Sequence, residues 1–224
     1  MAGINQIKPP KPTNRIRNDR WLSEIIDEHL EGLMEAPRGG VFHPSVISNS
    51  CDRYVWLCYH GYMIDQPLPP KLQRIFQNGS FLEERVEQWF KGLNILVDRE
   101  VSVKQEIPAI SGRIDFLIKH YNYGIIPIEL KSINTAGFVR LKGPKPEHQI
   151  QLQMYLNMGS YDIGTVLYEN KNDQNIKTFL VERDAEQWGE ILDRCFRIQE
   201  MLARPEKCTG ARWCACRKVT GELL

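Results

Sequence analysis

The sequence has no long uncharged apolar run, no apolar core at its N-terminus and almost no net charge. Its 29 Lys and Arg residues are balanced by 28 Asp and Glu residues, so the formal net charge is +1. A membrane-spanning helix needs about 20 consecutive apolar residues, and a secretory signal needs a shorter apolar core. We therefore expect a soluble, cytoplasmic protein with no membrane partner. The neutral balance alone gives no reason to expect a nucleic-acid partner, because proteins that bind nucleic acids usually carry a basic excess.

The composition is that of a globular chain without internal repeats. Of the 224 residues, 42% are hydrophobic and 25% are charged, which excludes a disordered, collagenous or coiled-coil class for most of the chain. Residues 1–17 are basic and proline-rich and have no apolar core of their own, so they predict a flexible arm. The length then predicts a single domain over residues 18–224.

The spacing of apolar residues alternates between two periods along the chain. Helical spacing predicts helices over five segments: 18–34, 46–58, 72–90, 147–158 and 185–202. Alternating or β-branched runs predict five strands: 97–107, 113–119, 124–132, 163–168 and 177–181. This order of elements predicts an α/β fold in which helices flank a mixed central sheet.

Two carboxylates and a lysine stand out in the predicted strands. Glu129 and Lys131 share one face of their strand, because successive side chains alternate. A hairpin with the preceding strand brings Asp115 beside Glu129. Such a set suits a hard cation with an amine nearby, which is what Mg²⁺-dependent phosphodiester hydrolysis requires. The alternative is that these are ordinary polar residues at the ends of half-solvated strands.

A predicted helix after these strands carries Gln151 and Tyr155 four residues apart, on one face. In this order the aspartate, the Glu-x-Lys and the Gln-x-x-x-Tyr closely resemble the PD-(D/E)XK nuclease superfamily, and within it the RecB-like exonuclease branch, over most of the chain. That branch includes the RecB and AddB nuclease domains, CRISPR-associated RecB-like exonucleases and phage exonucleases. The resemblance implies a restriction-endonuclease-like core and a Mg²⁺- or Mn²⁺-dependent deoxyribonuclease. Its substrate would be single-stranded DNA or duplex ends.

The resemblance also implies roles for individual residues. Four residues would supply the metal ligands: Glu83, Asp115, Glu129 and, through its backbone carbonyl, Leu130. Glu84 and Glu87 compete with Glu83 for its role. Lys131 would be the catalytic lysine, and Gln151 and Tyr155 would hold it in register with the scissile phosphate. Three more residues are candidates for contact with DNA: Arg113, His148 and Lys171. For each a plainer alternative stands: an ion pair for Arg113, a partly exposed helix-start histidine, and a solvated loop lysine.

Three of the six cysteines fall within nine residues near the C-terminus. Cysteines of a cytoplasmic chain stay reduced, so such a group indicates a metal or iron–sulfur site more than disulfides. The resemblance implies a structural [4Fe–4S] cluster held by four residues: Cys51, Cys208, Cys214 and Cys216. Zinc or no metal are the alternatives. Asp52 stands where the branch usually has proline, the tail spacing is unusual, and Cys58 is a substitute ligand. The site would clamp the Cys-rich tail, 203–224, onto the N-terminal helices of 18–70.

The resemblance leads us to expect a DNA exonuclease of recombination, repair or DNA processing in a bacterial cell or phage-infected host, with partner proteins from those pathways. A DNA-binding or assembly module that keeps this fold and acts mainly through a partner complex is the alternative. Acidic residues are needed at the metal site, whereas basic residues gather in the arm and around the cysteine tail. A net charge of +1 therefore hides a segregated distribution, and a DNA-binding face must be local.

Overall fold

A five-stranded mixed sheet forms the centre of the fold in the computed structural model, which describes residues 20–31, 39–62, 69–210 and 214–217. The predicted arm over residues 1–17 lies outside this part. The strands stand in sequence order and have these bounds: β1 Leu96–Gln105, β2 Ile110–His120, β3 Gly124–Ile133, β4 Ile163–Asn170 and β5 Ile176–Glu182. All neighbouring pairs are antiparallel except β3 and β4, which are parallel.

A parallel pair needs a long crossover connection, and two helices of the chain lie between β3 and β4. The helices have these bounds: α1 Trp21–Glu31, α2 Pro44–Ile47, α3 Asp52–Tyr59, α4 Pro70–Gly92, α5 Thr135–Arg140, α6 Pro146–Met158 and α7 Ala185–Glu200. A short 3₁₀ turn, Ala215–Arg217, follows. In the described residues, no helix is both long enough and apolar enough to span a bilayer.

Each face of the sheet is covered by one long helix. The α4 face is a buried cluster of these residues: Leu82, Val86, Phe90, Phe116, Ile118, Ile126, Ile128, Leu130 and Leu167. The α6 face includes Leu152, Tyr155, Leu156, Val166 and Tyr168. A third cluster joins α2, α3 and α7 to the cysteines of the tail. The predicted α/β architecture with a mixed sheet flanked by helices is confirmed, and so is the packing of the tail against the N-terminal helices.

Three details of the predicted helices are wrong. The segment predicted as one helix over 46–58 divides into α2 and α3, because the Asn49 side chain accepts a hydrogen bond from the amide of Cys51 at 2.9 Å and supports a turn instead. The short helix α5, whose N-cap is Asn134, was not predicted. On α4, Ile75 and Phe76 belong to the predicted apolar face but are exposed, since the sheet covers only the C-terminal half of that helix.

Gly112 of β2 lies where α2, β2 and α6 meet. A Cβ atom at this position would lie 2.8 Å from Cγ of Pro44 and 2.8 Å from Cε1 of Tyr155. We expect Gly112→Ala to lower the free energy of unfolding by about 1–3 kcal/mol through overpacking, measured by urea denaturation. The matched control is Gly189→Ala within α7, where an added Cβ meets open space and should stabilise by about 0.5–1 kcal/mol. Equal stability of Gly112→Ala and the unsubstituted protein would contradict this packing.

Candidate functional site

The regular alternation of side chains along strand β2 is interrupted at Asp115. In a regular strand Ile114 and Phe116 would share a face, but Phe116 packs in the α4 cluster while Ile114 packs in the α6 cluster with Tyr155. The residue opposite Asp115 in β1 is Glu100, whose φ of 54° is left-handed. A non-glycine residue in that region marks a local distortion. The distortion removes the Asp115 side chain from the regular alternation.

The Asp115 carboxylate replaces a backbone partner between β2 and β3. The two strands are paired from the hairpin as far as Phe116 and Ile128, and beyond that pair they diverge. In the gap, the amide of Leu130 donates to Oδ2 of Asp115 at 2.7 Å. The amide and carbonyl of one residue point to the same side of an extended strand, so the Leu130 carbonyl faces the same gap. This is the position that the predicted backbone ligand requires.

Glu129 is a completely buried carboxylate, with 0% of its surface exposed. Its Oε1 forms an ion pair with Lys131, whereas its Oε2 has no hydrogen-bond partner among the described residues. Burial, and then the negative charge of Asp115, raises the pKa of Glu129 to about 8. Burial opposes the charge of Lys131, yet the carboxylates of Glu129 and Asp115 hold the pKa of that ammonium above its usual value.

Burial of this carboxylate is costly, because its Oε2 has lost water without a replacement and the charge of Asp115 is close. A divalent cation would satisfy it. The donors in the gap are carboxylate and carbonyl oxygens of Asp115, Glu129 and Leu130, which are the ligands that Mg²⁺ and Mn²⁺ prefer. The residues present therefore fit a hard cation.

Of the three glutamates considered on α4, Glu83 is the one coupled to this site. Burial, and then the charge of Asp115, raises the pKa of Glu83. Glu87 is held by Arg99 at 2.6 Å, and Glu84 is exposed. Glu83, Asp115 and Glu129 do not, however, lie within 4.8 Å of one another; among the described residues only the cysteines form so tight a set.

Gln151 and Tyr155 are buried on α6 and bond to each other. Nε2 of Gln151 donates to Oη of Tyr155 at 3.0 Å. Burial, and then the negative charge of Glu129, raises the pKa of Tyr155, which places the phenol near the carboxylates and keeps it protonated. The structure thus brings this pair to the α6 side of the site. Their contact with a scissile phosphate stays a prediction.

The three candidates for DNA contact have different surroundings. The Arg113 side chain is 65% exposed and lies 3.4 Å from Glu100, so its pairing alternative is observed. Lys171 is exposed at the end of β4 and lines an open pocket of about 470 Å³ beside α4. In the same pocket Arg85 pairs with the buried Glu169, a pair that carried no sequence signal because its members are 84 residues apart.

His148 is a half-buried, hydrogen-bonded histidine in the first turn of α6, as the plainer alternative expects. Its Nδ1 lies 2.8 Å from Oη of Tyr168, which accepts the amide of Lys145 at 2.9 Å. Burial, and then the charge of Lys131, lowers the pKa of His148 to about 3. Its imidazole is therefore neutral near pH 7, so a contact with DNA would use hydrogen bonding and not charge.

The four predicted cysteines come together where α3 begins, just after the end of α2. Their Sγ atoms all lie within 4.8 Å of one another: Cys51 is 3.7 Å from Cys208 and 3.6 Å from Cys216, and Cys214 is 3.4 Å from Cys216. We call these four cysteines the four-thiol group. Cys58 lies outside it. A metal can be held here, and the substitute ligand considered from the sequence is not needed.

Cys51 is the N-cap of α3. Burial opposes ionisation of its thiol, but the backbone amides of Tyr54 and Gly210 lower the pKa of Cys51 to about 6. Gly210 is required by close approach, because a Cβ there would lie 2.9 Å from Cβ of Cys51 and 3.1 Å from Sγ of Cys214. The tail can cross the start of α3 only with glycine at this position.

Asp52, the residue that stands in place of the usual proline, binds α7. Arg194 donates to it at 2.9 Å and also to the carbonyls of Ile47 and Asn49, while Arg197 donates at 2.7 Å. These contacts fix the turn that precedes Cys51. A lone arginine within a helix carries no sequence signal of such a role, and the unusual aspartate was the only hint.

One segment connects the four-thiol group to the distorted strand. Phe42 forms a bridge with Ile110 of β2, and the Nδ1 of His43 donates to the carbonyl of Ser111 at 2.9 Å. Helix α2 follows directly and leads to Cys51. One short segment of the chain therefore connects the four-thiol group to β2, the strand that carries Asp115.

Similar proteins are found by comparison of structures and not by comparison of sequences. No protein-family profile matches the chain, and no curated protein matches it in sequence. Several solved structures are similar to this chain, two of them as follows. SSO0001 has a TM-score of 0.55 at 18% identity, covering 83% of this chain and 89% of that one. An alkaline exonuclease (LHK-Exo) from Laribacter hongkongensis has a TM-score of 0.52 at 18% identity, covering 79% and 90%.

The chain has the fold of this alkaline exonuclease. The same exonuclease in complex with dAMP aligns with a TM-score of 0.51. The predicted restriction-endonuclease-like core is confirmed, and the conclusion from these neighbours concerns the fold, because the identities are 18%.

Removing the charge of Glu129 should stabilise the fold and reduce the further stabilisation that a bound cation gives. We expect Glu129→Gln to raise the free energy of unfolding in a chelator by about 1 kcal/mol, since burial and the charge of Asp115 disfavour the ionised carboxylate. Mn²⁺ at about 100 times its Kd should add about 2.7 kcal/mol to the unsubstituted protein and less to the variant. Calorimetry or urea denaturation measures both effects. Glu190→Gln on the exposed side of α7 is the control, and a variant that responds fully to Mn²⁺ would rule Glu129 out as a ligand.

Proposed function

We propose that this protein is a metal-dependent nuclease that hydrolyses phosphodiester bonds in DNA as an exonuclease. The observation that carries the proposal is the completely buried Glu129 carboxylate, which shares a single lysine, Lys131, with the neighbouring Asp115 where β2 and β3 diverge. Two carboxylates with one ammonium leave an excess of buried negative charge, which a divalent cation would neutralise. The fold shared with an alkaline exonuclease supports the same activity.

The ligands of the catalytic cation would be Asp115, Glu129 and the carbonyl of Leu130, with Glu83 approaching from α4. When bound, Mg²⁺ or Mn²⁺ polarises the phosphate and lowers the pKa of a bound water. Asp115 holds its place through the Leu130 amide at 2.7 Å, so the aspartate and the backbone ligand move together. The site is thus preorganised for a cation that prefers oxygen ligands.

Lys131 supplies the positive charge at the reacting phosphate. Its pKa is raised by the neighbouring carboxylates, so it is an ammonium that donates hydrogen bonds and does not act as a base. Directed at a non-bridging phosphate oxygen, it stabilises the charge that develops in the transition state. Gln151 and Tyr155, joined at 3.0 Å, are neutral donors on the α6 side that position the phosphate without adding charge.

The substrate we propose is single-stranded DNA or a duplex end, held by local basic residues. Arg113 and Lys171 are exposed, and the basic residues of 1–17 would add a further contact. We place the protein in recombination, repair or processing of DNA, in the cytoplasm of a bacterial cell or phage-infected host, as a single domain over 18–224. The four-thiol group is its structural metal centre, separate from the catalytic cation.

The decisive experiment is degradation of end-labelled DNA. The unsubstituted protein should degrade single- or double-stranded substrate with Mg²⁺ or Mn²⁺ and not in a chelator. Lys131→Met should lower kcat by about 10²–10³-fold, the usual effect of losing one electrostatic stabiliser of the transition state. Asp115→Asn keeps an oxygen that can accept the Leu130 amide and removes the charge, so the fold should persist while cleavage is lost.

Lys119→Met is the matched control, because Lys119 is an exposed lysine of β2 away from the gap. It should cleave at the unsubstituted rate. Covalently closed circular DNA should stay intact, since an exonuclease needs an end. Cleavage that persists in both Asp115→Asn and Lys131→Met would refute the catalytic assignment, whereas DNA binding without any cleavage by the unsubstituted protein would favour the DNA-binding or assembly module.

DNA binding should depend on Arg113 and Lys171 through charge alone. In a chelator, which prevents cleavage, Arg113→Ala and Lys171→Ala should each weaken binding of single-stranded DNA without changing sequence preference. The slope of log K against log salt should fall in magnitude by about 1 for each phosphate interaction that a substitution removes. Fluorescence anisotropy measures both quantities, with Lys119→Ala as the control. An unchanged slope would show that the residue is only solvated.

A further inference from the structure

The four-thiol group has the size of a site for one ion. We propose that Cys51, Cys208, Cys214 and Cys216 bind a single zinc ion and do not hold a [4Fe–4S] cluster. The proposal concerns a second metal centre, and it does not depend on the nuclease activity. It departs from what the resemblance in sequence implies, because the spacing of the thiols does not fit an iron–sulfur cube.

The distances agree with a tetrahedral ion. Four thiolates about 2.3 Å from a zinc ion stand about 3.8 Å from one another. Three pairs in this group are 3.4, 3.6 and 3.7 Å apart, and all four sulfurs lie within 4.8 Å of each other. Such spacing leaves room for one small cation at the centre.

A cubane needs a larger cage. Its four thiolates each bind a different iron, and four irons and four sulfides fill the space between them. Sulfur atoms that already touch at 3.4–3.7 Å leave no such space. The cage is also far from a disulfide arrangement, because bonded sulfurs lie about 2.05 Å apart.

The surroundings keep the cage small. Gly210 lies so close that one methyl group would collide with Cβ of Cys51 at 2.9 Å and approach Sγ of Cys214 to 3.1 Å. The backbone amides of Tyr54 and Gly210 are directed at the Cys51 thiol, and hydrogen bonds of this kind orient a thiolate ligand and tune its metal. Opening the cage to the size of a cluster would require α3 and the segment at Gly210 to separate.

Zinc would act here as a redox-inert clamp. Cys51 and Cys208 are 157 residues apart in sequence, so one ion would join the start of α3 to the tail that follows α7. The polar contacts of Arg53 with the carbonyl of Glu206, at 2.6 Å, and of Thr209 with the carbonyl of Ser50, at 3.3 Å, run beside the cage. These contacts alone are few, and the ion would supply most of the attachment.

Metal content tests the proposal directly. The full chain is expressed with both iron and zinc in the medium and purified without oxygen or chelators. We expect about one zinc ion per chain, almost no iron and no broad visible absorption. After replacement of zinc by Co²⁺, the intense visible bands of a tetrahedral thiolate site should appear. About four irons per chain with a brown colour would overturn the proposal, and so would a metal-free folded protein with six free thiols.

Variants test the ligand set. Cys208→Ser, at the most exposed of the four thiols that the structure describes, should reduce zinc content and weaken the Co²⁺ bands, whereas Cys58→Ser, the matched control outside the group, should keep one zinc ion. Gly210→Ala should lower zinc affinity at least tenfold in a chelator competition, because the methyl group enlarges the cage. Loss of zinc in Cys58→Ser with retention in Cys208→Ser would refute these ligands. The Co²⁺ spectrum of the unsubstituted protein remains decisive if a variant does not fold.

Discussion

The hydrogen bond from the Leu130 amide to the Asp115 carboxylate is the interaction on which the site depends. Where β2 and β3 part, an unpaired backbone amide would be costly in a buried region, and the aspartate satisfies it at 2.7 Å. The same divergence exposes the carbonyl of Leu130 and brings Glu129 and Lys131 to the gap. A sheet that remained paired to its end would have neither this gap nor the Leu130 carbonyl facing it.

Much of this arrangement could be predicted from the sequence. Alternation placed Glu129 and Lys131 on one face, and helical spacing paired Gln151 with Tyr155. The change of face at Asp115 could not be predicted, because it arises from a left-handed Glu100 on a neighbouring strand, a residue that gives no local signal. The division of α2 from α3 was similarly invisible, since it depends on one Asn49 hydrogen bond. Long-range partners such as Arg194 and Asp52 come together only in the folded chain.

The two candidate centres make opposite demands on the chain. The gap between β2 and β3 collects buried negative charge around Glu129 and Asp115, which opposes folding unless a cation neutralises it. The four-thiol group, by contrast, sits in a dense cluster of α2, α3 and α7. The segment from Phe42 to Cys51 connects this group to β2.

The sequence separation of the four cysteines has a consequence for synthesis. Cys51 leaves the ribosome early, whereas Cys208, Cys214 and Cys216 emerge only after every strand and long helix described above has been made. The metal cage therefore cannot close during translation of the sheet. Cys51 must wait for the synthesis of all five strands before the other three thiols are available.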